Sequence, residues 1–379
     1  MGLKKFPGLV QYCGKDVLPE GNGPAGNAAC DNAAVNEEEY PMTYPEVLAA
    51  ARTCCGPYCK ACPVCNGLAC KNTIPGPGAK GLGTGAIRNY QKWQEICVNM
   101  DTICENKPVD TAFSFFGRTF AAPFFAAPVG AMTLHYGDKY DDLTYNNILV
   151  PACQEAGFAA FTGDGTNPAV FEGACEAIAR SGGAGIPTVK PWDRDTLFAK
   201  LERAKAAGPA AIAMDIDAAG LPFLQNLTPP AGSKTVEELQ EIVACAEVPF
   251  ILKGIMTVRG AEKAAAAGVK AIVVSNHGGR VLDQCPATAE VLGEIVDAVG
   301  KDLTVLVDGG IRSGMDIFKA LALGADGVLI GRPFVTAVYG AEAEGVAVYA
   351  EKLKAELKDT MAMCGVHSLS EIDRSCIRV

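Results

Sequence analysis

Eight short apolar runs follow one another at regular intervals from about residue 121 onward. Each run is rich in β-branched, aromatic and small apolar residues without polar alternation, a pattern typical of strands that are covered on both faces in a parallel sheet. Alanine-rich stretches with apolar residues three and four positions apart separate the runs and predict crossover helices. The predicted strands are residues 124–129, 158–163, 185–190, 211–217, 250–255, 271–276, 304–308 and 327–332.

The number and spacing of these units fit a closed barrel. Eight strand–helix units over roughly 230 residues match a (β/α)8, or TIM, barrel, whereas an open doubly wound sheet usually has fewer strands. We therefore predict an α/β fold with a (β/α)8 barrel and a C-terminal helix over residues 121–379. The predicted helices are residues 194–208, 235–246, 288–299, 314–323 and a long final helix at 345–363.

The first 120 residues have a different composition. Stretches rich in Gly, Pro and Asn at residues 21–27 and 74–85 are typical of loops, and we predict only two short helices, at 44–52 and near 89–96. Ten of the sixteen cysteines lie before residue 105. We predict a Cys-rich, loop-rich N-terminal extension over residues 1–120.

Composition and charge restrict the class of partner. Hydrophobic residues make up 49% of the 379 residues and charged residues 20%, which excludes a disordered chain. The net charge of −10 argues against nucleic acid and anionic membranes as partners and favours small molecules. Residues 1–14 lack a signal-peptide pattern, and no uncharged apolar run approaches the roughly 18 residues of a membrane span. We expect a cytoplasmic protein without a disulfide framework.

Polar residues at the carboxyl ends of the predicted strands are the candidates for chemistry, because barrel active sites lie at that face. After the seventh and eighth strands, glycine amides and two arginines form a predicted phosphate site. The alternative is that these glycines only make turns and the arginines pair with acidic neighbours. The strand-end candidates are Pro128, Val129, Gly130, Thr162, Lys190, Asp215, Asp217, Lys253, Ser275, Asn276, His277, Asp308, Gly309, Gly310, Arg312, Gly331 and Arg332.

His277 is one of only three histidines and directly follows the sixth apolar run. A carboxylate such as Asp217, if it lies nearby, would orient the imidazole and favour its protonated form, which makes His277 a candidate general base. His135 and His367 are more typical of structural histidines, and we expect them to have no catalytic role.

Several segments together resemble one family. Residues 275–283 (SNHGGRVLD), 307–324 (VDGGIRSGMDIFKALALG) and 328–333 (VLIGRP) are similar to the FMN-dependent 2-hydroxy-acid oxidase and dehydrogenase family, which includes glycolate oxidase, lactate oxidase and flavocytochrome b2. Residues 252–254 and the tail 356–377 also match. The resemblance covers about residues 97–379 and is strongest from residue 250 onward.

The resemblance implies an FMN site. Lys253 would lie near the pyrimidine edge of the flavin, and the segment 128–130 would pass close to the flavin N5. The FMN phosphate would be bound by Gly309, Gly310, Arg312, Gly331 and Arg332. The further cofactor contacts expected are Pro128, Val129, Gly130, Thr162, Ser275, His277 and Asp308.

The resemblance also implies an activity, the oxidation of a small (S)-2-hydroxy acid such as L-lactate or glycolate to the 2-keto acid. His277 would remove a proton from the substrate, Asp217 would partner the imidazole, and Arg280 would pair with the substrate carboxylate. The catalytic set expected is therefore His277, Asp217, Arg280 and Lys253. The electron acceptor stays open among oxygen, a quinone and a protein carrier, and family members suggest a homo-oligomer.

The chain departs from the family pattern at the substrate side. The third strand ends in Lys190 instead of a tyrosine, the segment 218–233 contains no arginine, and the cysteine-rich segment stands where an N-terminal tyrosine is expected. The expected substrate contacts are therefore His277, Arg280 and Lys190. These departures keep two alternatives open: an FMN-dependent reductase or isomerase, similar to type 2 isopentenyl-diphosphate isomerase, and a flavin and cysteine redox sensor or electron carrier.

Four cysteines of the N-terminal extension have a spacing suited to a metal. Cys59, Cys62 and Cys65 form two successive C-x2-C steps, and Cys70 follows. This pattern can bind an iron–sulfur cluster or a tetrahedral zinc ion, although it lacks the fourth spacing of a ferredoxin run. Plain reduced thiols are the third alternative.

Overall fold

Eight parallel strands close into a barrel in a computed structural model of the chain, which describes residues 42–379 except 75–76, 222–223, 225 and 227–230. Each barrel strand from β4 to β11 pairs with the next one along the chain, and β11 pairs with β4. The strands are β1 (Cys97–Val98), β2 (Phe113–Phe115), β3 (Arg118–Phe120), β4 (Phe124–Ala126), β5 (Ala160–Thr162), β6 (Gly185–Val189), β7 (Ile212–Asp215), β8 (Phe250–Ile255), β9 (Ala271–Val274), β10 (Thr304–Asp308), β11 (Gly327–Ile330) and β12 (Ile377–Arg378).

Helices connect the barrel strands and cover their outer faces. Most begin at a capping residue: the side chains of Asp141, Asp193 and Ser313 each accept a hydrogen bond from a backbone N–H of the first helical turn. The helices are α1 (Tyr44–Arg52), α2 (Thr84–Glu95), α3 (Met132–Tyr136), α4 (Asp142–Glu155), α5 (Pro168–Arg180), α6 (Arg194–Ala206), α7 (Val236–Ala246), α8 (Val258–Ala266), α9 (Thr288–Val299), α10 (Gly314–Ala322) and α11 (Arg332–Met363).

The strands are apolar without alternation because both of their faces are buried. Phe125 of β4 and Phe161 of β5 point into the barrel and pack with side chains from the other six strands. Their neighbours Phe124 and Ala126 belong to the larger core between the strands and the helices. Burial on both faces explains why the eight runs could be recognised in the sequence, and all eight predicted strands are confirmed.

A hairpin of phenylalanines covers the amino-terminal end of the barrel. β2 and β3 pair in antiparallel fashion, and the rings of Phe115 and Phe120 lie 5.5 and 5.1 Å from the ring of Phe125 in the barrel interior. Phe113 packs beside Gly327, the first residue of β11. The sequence analysis did not predict this hairpin. The hairpin leaves the carboxyl-terminal end of the strands as the face available for a ligand.

Two helices begin earlier than predicted. The helix expected at 345–363 begins at Arg332, with Pro in its first turn, and is interrupted by non-helical dihedral angles at Ala341 and Glu342. The predicted start marks the second half of this helix, after the interruption. α2 begins at Thr84 because Gly83, at φ 79°, serves as its N-cap, so part of the glycine-rich stretch initiates a helix.

Residues 40–379 form one compact unit. The loop predicted at residues 21–27 lies outside the described residues, and the division of the chain near residue 120 stays a prediction. Within the described ranges, no helix is both long enough and apolar enough to cross a membrane.

Candidate active site

A cavity of about 540 Å³ opens at the carboxyl ends of the barrel strands. Four of the predicted residues do not line it. Asp217 and Ser275 contact residues that do, and Asn276 is hydrogen-bonded to Asn89 of α2. Thr162 is buried with a hydroxyl that has no hydrogen-bond partner in the described part of the chain. The predicted residues that line the cavity are Pro128, Val129, Gly130, Lys190, Asp215, Lys253, His277, Arg280, Asp308, Gly309, Gly310, Arg312, Gly331 and Arg332.

Two glycines after β10 form one end of the cavity. Gly309 and Gly310 have φ values of 90° and 89°, a left-handed conformation that only glycine adopts without strain. A Cβ atom at Gly310 would collide with the backbone oxygen of Asn89 in α2. Glycine is therefore required here both by the dihedral angles and by the close approach of α2.

Two arginines stand beside this glycine turn and bind to the N-terminal segment. The Arg312 Nε donates to the carbonyl oxygen of Cys65 at 2.8 Å, and the Arg332 Nε donates to that of Pro77 at 2.8 Å. Each guanidinium carries five N–H groups, and the hydrogen bonds to carbonyl oxygens use only some of them. The remaining donors and the positive charge suit a phosphate group.

Lys253 is a buried cation at the bottom of the cavity. Its Nζ lies 2.9 Å from the Ser275 hydroxyl and 3.3 Å from an Asp308 carboxylate oxygen. Burial alone would lower the pKa of Lys253, but the negative charges of Asp308, Asp217 and Asp215 outweigh it and raise the pKa above its usual value. Lys253 therefore stays charged and can stabilise negative charge on a ligand.

His277 and Asp217 form the predicted pair. The Nδ1 of His277 lies 2.9 Å from a carboxylate oxygen of Asp217, and the backbone N–H of His277 donates to Ser275 Oγ at 3.1 Å. Burial would raise the pKa of Asp217, but the positive charges of Lys253 and His277 outweigh it and lower that pKa. Because Asp217 is anionic, we assign the Nδ1 proton to this hydrogen bond, which leaves Nε2 to act on a substrate.

Arg280 lines the same cavity and lies close to Arg332. Its Nη1 donates to the carbonyl oxygen of Gly78 at 3.0 Å. Burial, and then the neighbouring charge of Arg332, lower the pKa of Arg280 to about 10. Two neighbouring, partly buried cations are stabilised by an anionic ligand, so this part of the cavity is suited to a carboxylate or a phosphate.

Lys190 is held in place by two carboxylates. Its Nζ lies 3.2 Å from Asp215, and its backbone N–H donates to Asp164 at 3.1 Å. Asp164 also accepts hydrogen bonds from Trp192 Nε1 at 2.6 Å and Lys200 Nζ at 2.8 Å. The sequence analysis missed Asp164, although its position two residues after β5 was a usable signal. This carboxylate fixes the loop that carries Lys190.

His135 was expected to be structural, but it lines the cavity. Burial, and then the nearby positive charges of Arg280 and Lys190, lower the pKa of His135 to about 3. The imidazole is therefore neutral at physiological pH. His135 lies in α3, directly after the segment that follows β4, and this position was the signal available in the sequence.

Three side chains of the site could also be considered as metal ligands. The ligand atoms of Asp215, Asp217 and His277 lie within 4.8 Å of one another, and within the described ranges no other trio of His, Cys, Asp or Glu does so. The ammonium groups of Lys190 and Lys253 act on the same carboxylates, which disfavours a further cation. We interpret the trio as a proton-transfer group.

These features together describe a cavity in a (β/α)8 barrel that is suited to anionic ligands and contains a candidate proton-transfer pair. A family model described as "FMN-dependent dehydrogenase" matches residues 77–226 and 223–379. The chain therefore belongs to the FMN-dependent dehydrogenase family, and its cofactor is FMN.

Curated relatives and solved structures agree with this assignment. A peroxisomal (S)-2-hydroxyacid oxidase of Arabidopsis thaliana is 31% identical over 328 residues, which are 76% of this chain and 87% of that protein. A 4-hydroxymandelate oxidase of Amycolatopsis orientalis is 47% identical over 140 residues, 37% of this chain and 39% of that protein. A mandelate oxidase crystallised with (S)-2-phenylpropionate superposes with a TM-score of 0.72 at 29% identity, covering 89% of this chain and 97% of that one.

The residues of the cavity fit FMN. The phosphate of FMN requires N–H donors and positive charge, which the glycine turn 309–310 and the guanidinium groups of Arg312 and Arg332 supply. The flavin ring gains negative charge when it is reduced, and Lys253 provides a buried cation for it. One carboxylate oxygen of Asp308 has no hydrogen-bond partner in the described part of the chain, so it can accept a hydrogen bond from the cofactor.

Proposed function

We propose that this protein oxidises a 2-hydroxy acid to the 2-keto acid, with FMN as the acceptor of the two electrons. The observation that carries the proposal is the His277–Asp217 pair, at 2.9 Å, in a cavity that also contains Arg280. A base beside a carboxylate-binding cation is the combination that the oxidation of a hydroxy acid requires. The names of the relatives, which include (S)-2-hydroxyacid oxidase and L-lactate oxidase, support it.

His277 has the role of the base. Its Nε2 accepts a proton from the substrate, and the resulting imidazolium is stabilised by Asp217 at 2.9 Å and by Asp215 at 4.0 Å. FMN would supply the redox chemistry by accepting the two electrons together with the second hydrogen of the substrate, as a hydride equivalent. Lys253 stays protonated and stabilises the charge that this transfer brings into the cavity.

Arg280 and Lys190 have the role of substrate-binding residues. Arg280 pairs with the substrate carboxylate, and its proximity to Arg332 strengthens the preference for an anion. Lys190 lies between Asp215 and the cavity, where its ammonium can donate a hydrogen bond to the substrate hydroxyl. Neutral His135 can add a further hydrogen bond. Lys190 and His135 take the place of the tyrosine and the second arginine of the family pattern.

An anaerobic absorbance titration tests the proposal. The FMN-loaded protein is mixed with glycolate, L-lactate or (S)-mandelate, and we expect at least one of them to bleach the flavin bands. His277→Asn should retain FMN but lose bleaching, whereas Lys358→Gln, a change on the exposed face of α11, should behave like the wild type. Bleaching that persists in His277→Asn would refute the assigned base. Bleaching by none of the acids would refute the reaction.

A second pair of variants tests the substrate contacts. Lys190→Met and Arg280→Met should raise KM for the hydroxy acid much more than they lower FMN affinity, because both side chains are assigned to the substrate and not to the phosphate. FMN affinity is measured by fluorescence quenching on titration of the apoprotein. A loss of FMN binding with an unchanged KM would contradict the assignment.

The comparisons do not favour the alternative functions, a reductase or isomerase and a redox sensor, because the named relatives are hydroxy-acid oxidases and dehydrogenases.

The proposal also includes a cytoplasmic location and a homo-oligomer. Light scattering tests the oligomer. The electron acceptor is identified by reducing the flavin anaerobically and then comparing its reoxidation by oxygen, a quinone and a protein carrier.

A further inference from the structure

A second cavity, of about 650 Å³, lies beside the FMN site and is lined by four cysteines. These are Cys59, Cys62, Cys65 and Cys70, the same four whose spacing suggested a metal. The proposed flavin reaction uses none of them. Four thiols that line one cavity next to a redox cofactor need an explanation of their own.

The loop that carries these cysteines is fixed by two arginines. The Arg52 Nε of α1 donates to the carbonyl oxygen of Ala61 at 2.9 Å, and the Arg312 Nε donates to that of Cys65 at 2.8 Å. The two bonds hold the backbone on either side of Cys62. The loop is therefore held around the cavity by the folded barrel and its helices.

The spacing of the sulfur atoms argues against a single zinc ion. With Zn–S bonds of about 2.3 Å, tetrahedral geometry places the sulfurs about 3.8 Å apart. Among the described residues, the group compact enough for a single ion is Asp215, Asp217 and His277, and the four cysteines do not form such a group. In a [4Fe–4S] cluster each thiolate binds a different iron atom, so the sulfurs lie further apart around a larger volume.

The charge of the cavity also suits a cluster. Five basic side chains line it against one acidic side chain, Asp316. A cluster bound by four thiolates is anionic and would be stabilised by this excess of positive charge. The basic residues are Arg52, Lys60, Arg312, Arg332 and Lys352.

We propose that Cys59, Cys62, Cys65 and Cys70 bind a [4Fe–4S] cluster in this cavity. Two successive C-x2-C steps are typical of cysteines that bind such a cluster. Arg312 and Arg332 line both cavities, so the cluster would be a direct neighbour of the FMN phosphate site. The site is independent of which hydroxy acid the enzyme oxidises.

The test measures metal and sulfide in the full-length protein. Anaerobic purification and reconstitution with ferrous iron and sulfide should give about four irons and four acid-labile sulfides per chain, and a paramagnetic resonance signal after reduction with dithionite. Cys62→Ser and Cys65→Ser should lose most of the iron and the signal. Cys104→Ser, an exposed cysteine outside the cavity, should retain both.

Each variant is also checked for FMN content and for its circular dichroism spectrum, which separates loss of the cluster from loss of the fold. A wild-type protein that takes up no iron under these conditions would overturn the proposal. One zinc ion per chain in place of iron would overturn it too. Equal iron and sulfide in Cys62→Ser, Cys65→Ser and the wild type would show that the iron is bound elsewhere.

Discussion

Replacing Asp217 by asparagine tests whether the charge of this carboxylate assists proton removal by His277. The substitution preserves the size of the side chain and an oxygen at 2.9 Å from Nδ1, but it removes the negative charge. Asp217 does not line the cavity, so FMN binding should be unaffected. The variant therefore isolates the electrostatic contribution to the base.

The size of the effect follows from two distances. A unit charge pair at 2.9 Å interacts with about 6 kcal/mol at an effective dielectric constant of about 20. Part of this is retained because the amide oxygen of asparagine still accepts the Nδ1 hydrogen bond, whereas Asp215, 4.0 Å from Nδ1, contributes equally in both proteins. We expect a net loss of about 3–4 kcal/mol, which corresponds to a roughly 100- to 1000-fold slower flavin reduction.

The assay is anaerobic stopped-flow reduction of the enzyme-bound FMN at saturating hydroxy acid. Asp359→Asn, an exposed aspartate on α11, is the matched control and should reduce at the wild-type rate. A reduction rate in Asp217→Asn equal to that of the wild type would refute the role assigned to Asp217. An equal loss in Asp359→Asn would show that the effect is not specific to the site.

Three further predictions concern the residues around this pair. Lys200→Met leaves Asp164 buried without its ammonium partner, and the free energy of unfolding measured in urea should fall by about 3 kcal/mol. An unchanged urea midpoint would contradict the role of the ion pair. His135 has a pKa of about 3 in the folded protein against 6.5 in the unfolded chain, so the unfolded state binds more protons between these values and stability falls with decreasing pH. At pH 5 the free energy of unfolding of the wild type should be about 2 kcal/mol lower than at neutral pH, and His135→Gln should not show this loss. The same pH dependence of the free energy of unfolding in both proteins would contradict this. Gly254→Ala would place a Cβ atom 2.6 Å from the Asp217 side chain at a φ of 105°, so flavin reduction should slow at least about tenfold with FMN retained; a normal rate would show that the loop adjusts.

The barrel could be predicted from the sequence because its strands are buried on both faces. Runs such as residues 271–276 contain no polar alternation, and the polar residues that follow them mark the carboxyl-terminal face. His277 and Lys253 are recognisable for this reason. Both the local sequence and the fold place these two residues at the carboxyl-terminal face of the barrel.

Other features depend on packing between distant segments, which no local pattern reveals. His135 lies in α3, after β4, and Asp164 lies in the loop after β5, and only the closed barrel brings them to Lys190. The two phosphate-site arginines bind carbonyl groups at Cys65 and Pro77, although nothing in the N-terminal segment indicates that it would fold against the barrel mouth.

The pairing of β4 with β11 has a consequence for how the protein folds during synthesis. Val328 pairs with Phe124, so more than half of the chain separates the two strands that close the barrel. Until β11 has left the ribosome, the nascent sheet has two open edges and an uncovered apolar interior. Such a topology predicts slow folding, with intermediates that are prone to aggregate and depend on chaperones. The pairing of β1 with β12, between Cys97 and Arg378, completes the fold only afterwards.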